Sequence, residues 1–270
     1  MVTAAFVARR TVRSGLGWGL GFGLYVFYAV YTYAAEYPTI ASRVQIGRSL
    51  GASSGLQALL GPARSLGTMA GFTEWRSVGL LTLLGAVWGL ATATRWLRGE
   101  EEAGRWEVLL AGQTTRPLSV IQVIAGLAAG WLALWATTAA LVLVAGMHVD
   151  PPLSVGESLY FALTLTSGAA LFLAIGALVS QLAGTRRQAL IGGAWVLGIT
   201  FLIRMVADSG ASLAGARWAS PLGWIEELQP LTGAQPLVVI PIAALAGVVA
   251  ALAVVLAARP GNRWRGERLI

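Results

Sequence analysis

Residues 236–258 read PLVVIPIAALAGVVAALAVVLAA, a run of 23 residues without one charged or polar side chain. As a helix rising about 1.5 Å per residue it covers roughly 35 Å, enough to cross a hydrocarbon core of about 30 Å. As a strand it would lack the alternation of apolar and polar positions that a membrane barrel needs. Five further apolar segments repeat the pattern: Leu16–Ala35, Ser77–Thr94, Leu118–Met147, Val155–Gln181 and Ala189–Ala207. Each is close to or above the length of one crossing. Helices satisfy every backbone N–H and C=O within one segment, which lipid demands. The expected fold is an all-α polytopic membrane protein with six transmembrane helices.

Composition agrees. Mean hydropathy is +0.70, and only 11% of the 270 residues are charged. There are no cysteines, which excludes disulfides and thiolate metal sites. All 19 basic residues are arginine, so the lysine that a phosphate-binding P-loop requires is missing. His148, with Asp150 nearby, reads as a loop histidine rather than a metal ligand. No nucleophile–base pair and no metal set is visible, so no catalytic residue and no metal site is expected.

With six spans, both termini share one side. Thirteen arginines fall on that side: Arg9, Arg10, Arg13, Arg95, Arg98, Arg105, Arg116, Arg186, Arg187, Arg259, Arg263, Arg265 and Arg268. Six lie elsewhere, and the bias predicts cytoplasmic termini. The net charge of +7 is thereby a topology signal rather than a nucleic-acid footprint. Residues 1–14 read as a basic amphipathic interface helix, with Phe6 and Val7 among lipid headgroups. The outer stretch Glu36–Arg76 contains a short helix broken at Gly61-Pro62, and residues 208–235 form re-entrant or short helices bracketed by Pro221 and Pro230.

Ion-coupled carriers bury ionisable groups at mid-membrane; here Glu157 sits near the start of the fourth span, and only Arg204 lies further inside one. It is either an anchor snorkelling to the outer surface or part of a substrate path. Phe22, Tyr25, Phe27 and Tyr28 sit at mid-depth of the first span. They either pack in the core or line a path for an apolar cargo. Gly15, Gly19 and Gly23 lie four apart on one face, and Gly193 thins the fifth span. Such glycines allow close helix contact, within one chain or between two.

The loop after the second span reads RGEEEAGRWEVLLAG from residue 98 to residue 112. It is a cytoplasmic amphipathic helix, acidic at its first turn, where the helix dipole favours carboxylates. Trp106, Leu109 and Leu110 share one stripe. Anionic headgroups would repel Glu100, Glu101, Glu102 and Glu107, so a protein groove suits this helix better than the bilayer. A solvated loop packed on its own spans is the plainer alternative.

These features resemble the type-2 ABC exporter permeases, among them the actinobacterial tetronasin or polyketide-antibiotic exporter permeases. The residues that carry the resemblance are RGEEEAGRWEVLLAG with Arg116, Gly71-Phe72-Thr73-Glu74-Trp75-Arg76, and Ser220-Pro221-Leu222-Gly223-Trp224-Ile225-Glu226 with Pro230. The resemblance implies a single permease domain over 1–270 in the bacterial cell membrane, moving a hydrophobic or amphipathic drug, polyketide or lipid outward. It implies no cofactor in this chain, with ATP and Mg bound by a partner ABC ATPase. Residues 98–112 become the coupling helix, and Glu100, Glu101, Glu102, Arg105, Trp106, Glu107, Leu109 and Leu110 its ATPase contacts. It implies a dimer face through Gly15, Gly19, Gly23 and Gly193, with Phe22, Tyr25, Tyr28 and Arg204 toward the substrate. Permeases of this subgroup are commonly double-length, so a six-span chain is expected to pair with a second permease chain, identical or paralogous. A membrane scaffold that recruits a soluble partner through residues 98–112 is the competing expectation.

Overall fold

The computed structural model describes residues 2–102 and 115–258. Among the described residues all regular structure is helical. Helix α1 (Val2–Glu36) is followed by two short outer helices, α2 (Ile40–Gly51) and α3 (Ser54–Leu60). The long helices α4 (Met69–Glu102), α5 (Arg116–Gly146), α6 (Val155–Leu182) and α7 (Arg186–Asp208) come next. A 3-10 turn (Ala211–Ala219), the short α8 (Pro221–Glu226) and α9 (Val239–Ala257) complete the described order.

Five of these helices are long and apolar enough to cross a membrane: α4, α5, α6, α7, and α9 with its leading turn from Pro236. Helix α1 is long enough at 35 residues but is not among them, because glycine, tryptophan and tyrosine dilute its apolar run. It is also continuous. The basic N-terminal residues and the first apolar segment form one helix, and Val7 is buried against Gly126 rather than lying among headgroups.

Helix α6 is the axis of the bundle, buried along most of its length. It meets α4 through small residues: a Cβ on Gly168 would run into the Thr82 carbonyl, and one on Gly176 would come within 2.8 Å of the Ala93 side chain. Helix α1 lies along α5 in the same way. Thr11 Oγ1 donates to the Gly126 carbonyl at 2.7 Å, filling the notch that Gly126 and Gly130 leave. A Cβ on Gly15 would strike the Gly130 carbonyl oxygen, one on Gly19 would sit 2.7 Å from the Leu134 oxygen, and one on Gly23 would overlap Leu141. Gly193 of α7 is filled by the Leu90 side chain of α4. All four glycines expected at a dimer face are therefore engaged inside the chain, the alternative that small-residue spacing equally allowed.

Helix α4 begins eight residues before the apolar run at Ser77. Thr68 caps it, its side chain accepting from the Gly71 N–H at 3.0 Å. Residues 71–76 are thus its first turns, and Phe72 and Trp75 join Tyr33, Ile46 and Leu66 in an outer apolar cluster. Helix α3 stops at Gly61, whose φ of +100° favours glycine.

Gly15→Val is expected to destabilise the fold by about 2 kcal/mol, since the backbone of α5 cannot yield. Gly17→Ala, on a face with open space, should keep or raise stability, by up to about 1 kcal/mol; thermal unfolding in detergent measures both.

Candidate functional site

On the face of α1 opposite its α5 contact, the glycines are open. A Cβ on Gly17 or Gly21 would meet nothing within 4 Å, and with Ser14, Trp18, Phe22 and Tyr25 these glycines line a cleft against Leu81 and Leu84 of α4. Its volume is about 540 Å³, within the range of sites that take drug-sized molecules. Among the described residues, Arg13 supplies the only charged side chain of the lining. The walls are held from behind: Trp88 Nε1 donates to Ser14 Oγ at 2.9 Å, and Trp18 stands edge-on to Phe22. The Tyr25 hydroxyl donates to the Arg76 carbonyl at 3.4 Å.

Phe22 and Tyr25 are thus together in the cleft. Tyr28 is one turn further on and half exposed, with the Arg76 guanidinium 5.2 Å over its ring. Arg204 is elsewhere, in an ion network at the end of α7, and it does not snorkel: it is 3% exposed. Its Nη1 donates to Glu226 at 2.5 Å, its Nη2 to the Leu59 carbonyl at 2.6 Å, and its Nε lies 3.7 Å from Asp208. Arg217 donates to Asp208 at 2.5 Å and to Glu227 at 2.9 Å. Arg64 reaches the Glu226 carbonyl and Glu227. Nearby, Glu74 accepts from the Leu231 N–H at 2.6 Å and the Thr232 hydroxyl at 2.8 Å.

This network ties the end of α7, the exit of α3, the start of α4 and the 208–235 segment into one cap at that end of the bundle, the end expected to face outward. A Cβ on Gly61 would lie 2.7 Å from the Glu226 carboxylate, so that glycine is needed for space as well as for its φ. Burial pushes the Glu226 carboxyl up to about 7, with Arg204 opposing and Asp208 adding to the shift. Residue patterns did not reveal this cap. Five of its charges, Arg204, Asp208, Arg217, Glu226 and Glu227, fall within one stretch of the sequence, but their pairing across turns and with the distant Arg64 is set by the fold.

A second cluster sits where α4 ends. A π-helical turn at Arg95–Gly99 re-aims the last described residues before position 103. Glu101 is held between Arg98 at 2.8 Å and Arg116 at 2.6 Å. Glu102 accepts from the backbone N–H of Arg186 at 2.7 Å, and Arg98 Nε donates to the Gly184 carbonyl at 3.0 Å. Two of the expected docking carboxylates therefore face the start of α5 and of α7. Arg105, Trp106, Glu107, Leu109 and Leu110 lie outside the described residues. Among the described residues, no group of His, Asp or Glu could hold a metal ion.

Residues 8–231 match a family described as ABC-2 family transporter protein. A multidrug efflux system permease protein of Mycobacterium tuberculosis is 29% identical over 260 residues, covering 89% of this chain. The chain spans 44% of the length of that relative.

Arg204→Met would leave Glu226 buried without its partner and is expected to cost about 3–5 kcal/mol in thermal unfolding. Glu226→Gln tests the raised carboxyl. Because the folded protein holds the Glu226 proton more tightly than the unfolded chain, the stabilisation it gives is complete below the ordinary carboxylate range. It is lost as pH rises through about 7. The unfolding temperature of the unsubstituted protein should fall more steeply between about pH 5 and about pH 8 than that of the Gln variant.

Proposed function

The chain belongs to the ABC-2 family of transporter proteins, a multi-pass protein of the bacterial cell membrane, and on that footing we propose that it is the permease of an ATP-driven exporter. The match over residues 8–231, which takes in the cleft, most of the outer cap and the cytoplasmic segment, carries this reading. Helix α1 is the sixth span, both termini face the cytoplasm, and the arginine bias supports that orientation. The cargo is hydrophobic or amphipathic, of the drug, polyketide or lipid kind, because the cleft offers Trp18, Phe22, Tyr25 and leucines with one cation at its rim. The efflux role of the mycobacterial relative supports outward transport.

ATP and Mg are bound by separate ABC ATPase subunits, since this chain has no P-loop lysine. Residues 103–112, with Trp106, Leu109 and Leu110 as anchors and Arg105, Glu107 and Glu100 around them, dock into the ATPase. Glu101 and Glu102 hold the start of that segment to the bundle. A second permease chain, identical or paralogous, completes the pathway. It packs on the exposed apolar faces of α1 and α7, where Leu16, Leu20 and Leu24 and Ile191, Trp195 and Leu202 stand uncovered. Those faces replace the buried Gly15, Gly19, Gly23 and Gly193 as the surface for a partner.

The test is reconstitution with the ATPase. Trp106→Ala with Leu110→Ala should abolish co-purification of the ATPase, whereas retained association would remove the docking assignment. Gly21→Leu fills the cleft from a position with open space. It should lower transport about tenfold, the effect of ~1.4 kcal/mol, with unfolding temperature unchanged.

A further inference from the structure

We propose that α7 is a strut that carries movement of the cytoplasmic docking segment to the outer cap, with Glu102 and Arg204 as the positioning residues at its two ends. This rests on the exporter reading above and names the element that would transmit its stroke.

At the cytoplasmic end, Glu102 is the last described residue before the docking segment, and its carboxylate accepts from the N–H of Arg186, the first residue of α7. An N–H at that helical position has no partner inside its own helix. Arg98, one turn back on α4, holds the Gly184 carbonyl two residues earlier. The entry to α7 is thus gripped from the end of α4, while Thr185 and Gln188 close the helix start with a capping box. Any displacement of residue 102 pulls directly on the helix backbone.

Between its ends α7 is unbroken for 23 residues, roughly 35 Å. It is attached to the bundle by a narrow stripe, Ala189, Gly193 and Leu197 continuing to Arg204 and Asp208. Within one chain the opposite face is uncovered, with Trp195 at 69%. Helix α4 also runs from the docking segment to the cap, but it is wedged against α6 through Gly89 and the Thr82–Gly168 contact. Moving α4 would open the core, whereas α7 can tilt or slide on its stripe with little unpacking inside the chain, its outward face moving along the seam with the second permease proposed above.

At the outer end α7 is fastened rather than merely adjacent. Arg204 binds Glu226 and the Leu59 carbonyl, Asp208 binds Arg217, and the Ser220 hydroxyl donates to the Thr200 carbonyl at 2.6 Å. The cap therefore follows the end of α7. A stiff element with hydrogen-bonded and charged attachments at both ends is what mechanical coupling between two faces of a membrane requires.

The decisive variants are at Arg186. Arg186→Pro deletes the N–H that Glu102 accepts from, while proline is favoured at the first helical position and the extended backbone of Thr185 tolerates it. Arg186→Ala removes the same side chain and keeps the N–H. Because the chain has no cysteine, spin labels can be placed at Leu213→Cys in the cap and Met147→Cys at the outer end of α5, both exposed. In the permease assembled with its ATPase, ATP is expected to change the label-to-label distance in the unsubstituted protein and in Arg186→Ala, but not in Arg186→Pro. Transport per ATP hydrolysed should fall about tenfold in Arg186→Pro, within the usual range for coupling between two sites. A folded Arg204→Met complex should lose the distance change as well. If Arg186→Pro behaves like Arg186→Ala while the unsubstituted complex transports, the strut is wrong and the exporter stands. If the unsubstituted complex neither transports nor shifts its cap on adding ATP, both are overturned.

Discussion

In a bilayer, lipid tails are as apolar as leucine, so burial alone does not hold helices to one another. This bundle depends instead on how closely backbones approach. Gly15, Gly19 and Gly23 press α1 on α5, and Gly89, Gly168 and Gly176 press α4 on α6. At each contact, a carbonyl or a side chain of the neighbouring helix occupies the volume a Cβ would fill. These two seams place α1 and α4 side by side, and the cleft between them exists because Gly17 and Gly21, half a turn away, face nothing.

Among the described residues the ion networks lie at the two ends of the bundle, and at both ends they join segments distant in sequence. The outer network costs desolvation, which the several hydrogen bonds to each carboxylate and guanidinium offset. At Glu226 burial outweighs the pairing with Arg204 and pushes the carboxyl up. At the other end Glu101 and Glu102 bind where α5 and α7 begin. The long helices between them are apolar and chemically plain.

Much of this was legible in the residues. The apolar runs marked five of the long helices, and the stop at Gly61 and start at Pro221 followed from backbone chemistry. The start of α4 did not, because Thr73, Glu74 and Arg76 interrupt the hydropathy that marks a span; the capping threonine at position 68 was the better signal. The interfacial placement of Val7 failed for a related reason. Amphipathicity shows that a face seeks apolar surroundings, and here the notch at Gly126 provides them in place of lipid.

By itself the sequence determined the helical class and the kinship with ABC-2 transporters, because hydropathy, helix length and local motifs are properties of contiguous residues. Which glycine face is filled and which lines a cleft was decided only by tertiary structure. So was the fate of Arg204, which a single span can only send toward the surface. Glu226, twenty-two residues away, and the Leu59 carbonyl, 145 away, offer it a buried alternative. A close approach or an ion pair needs two partners, and chain folding alone brings them together.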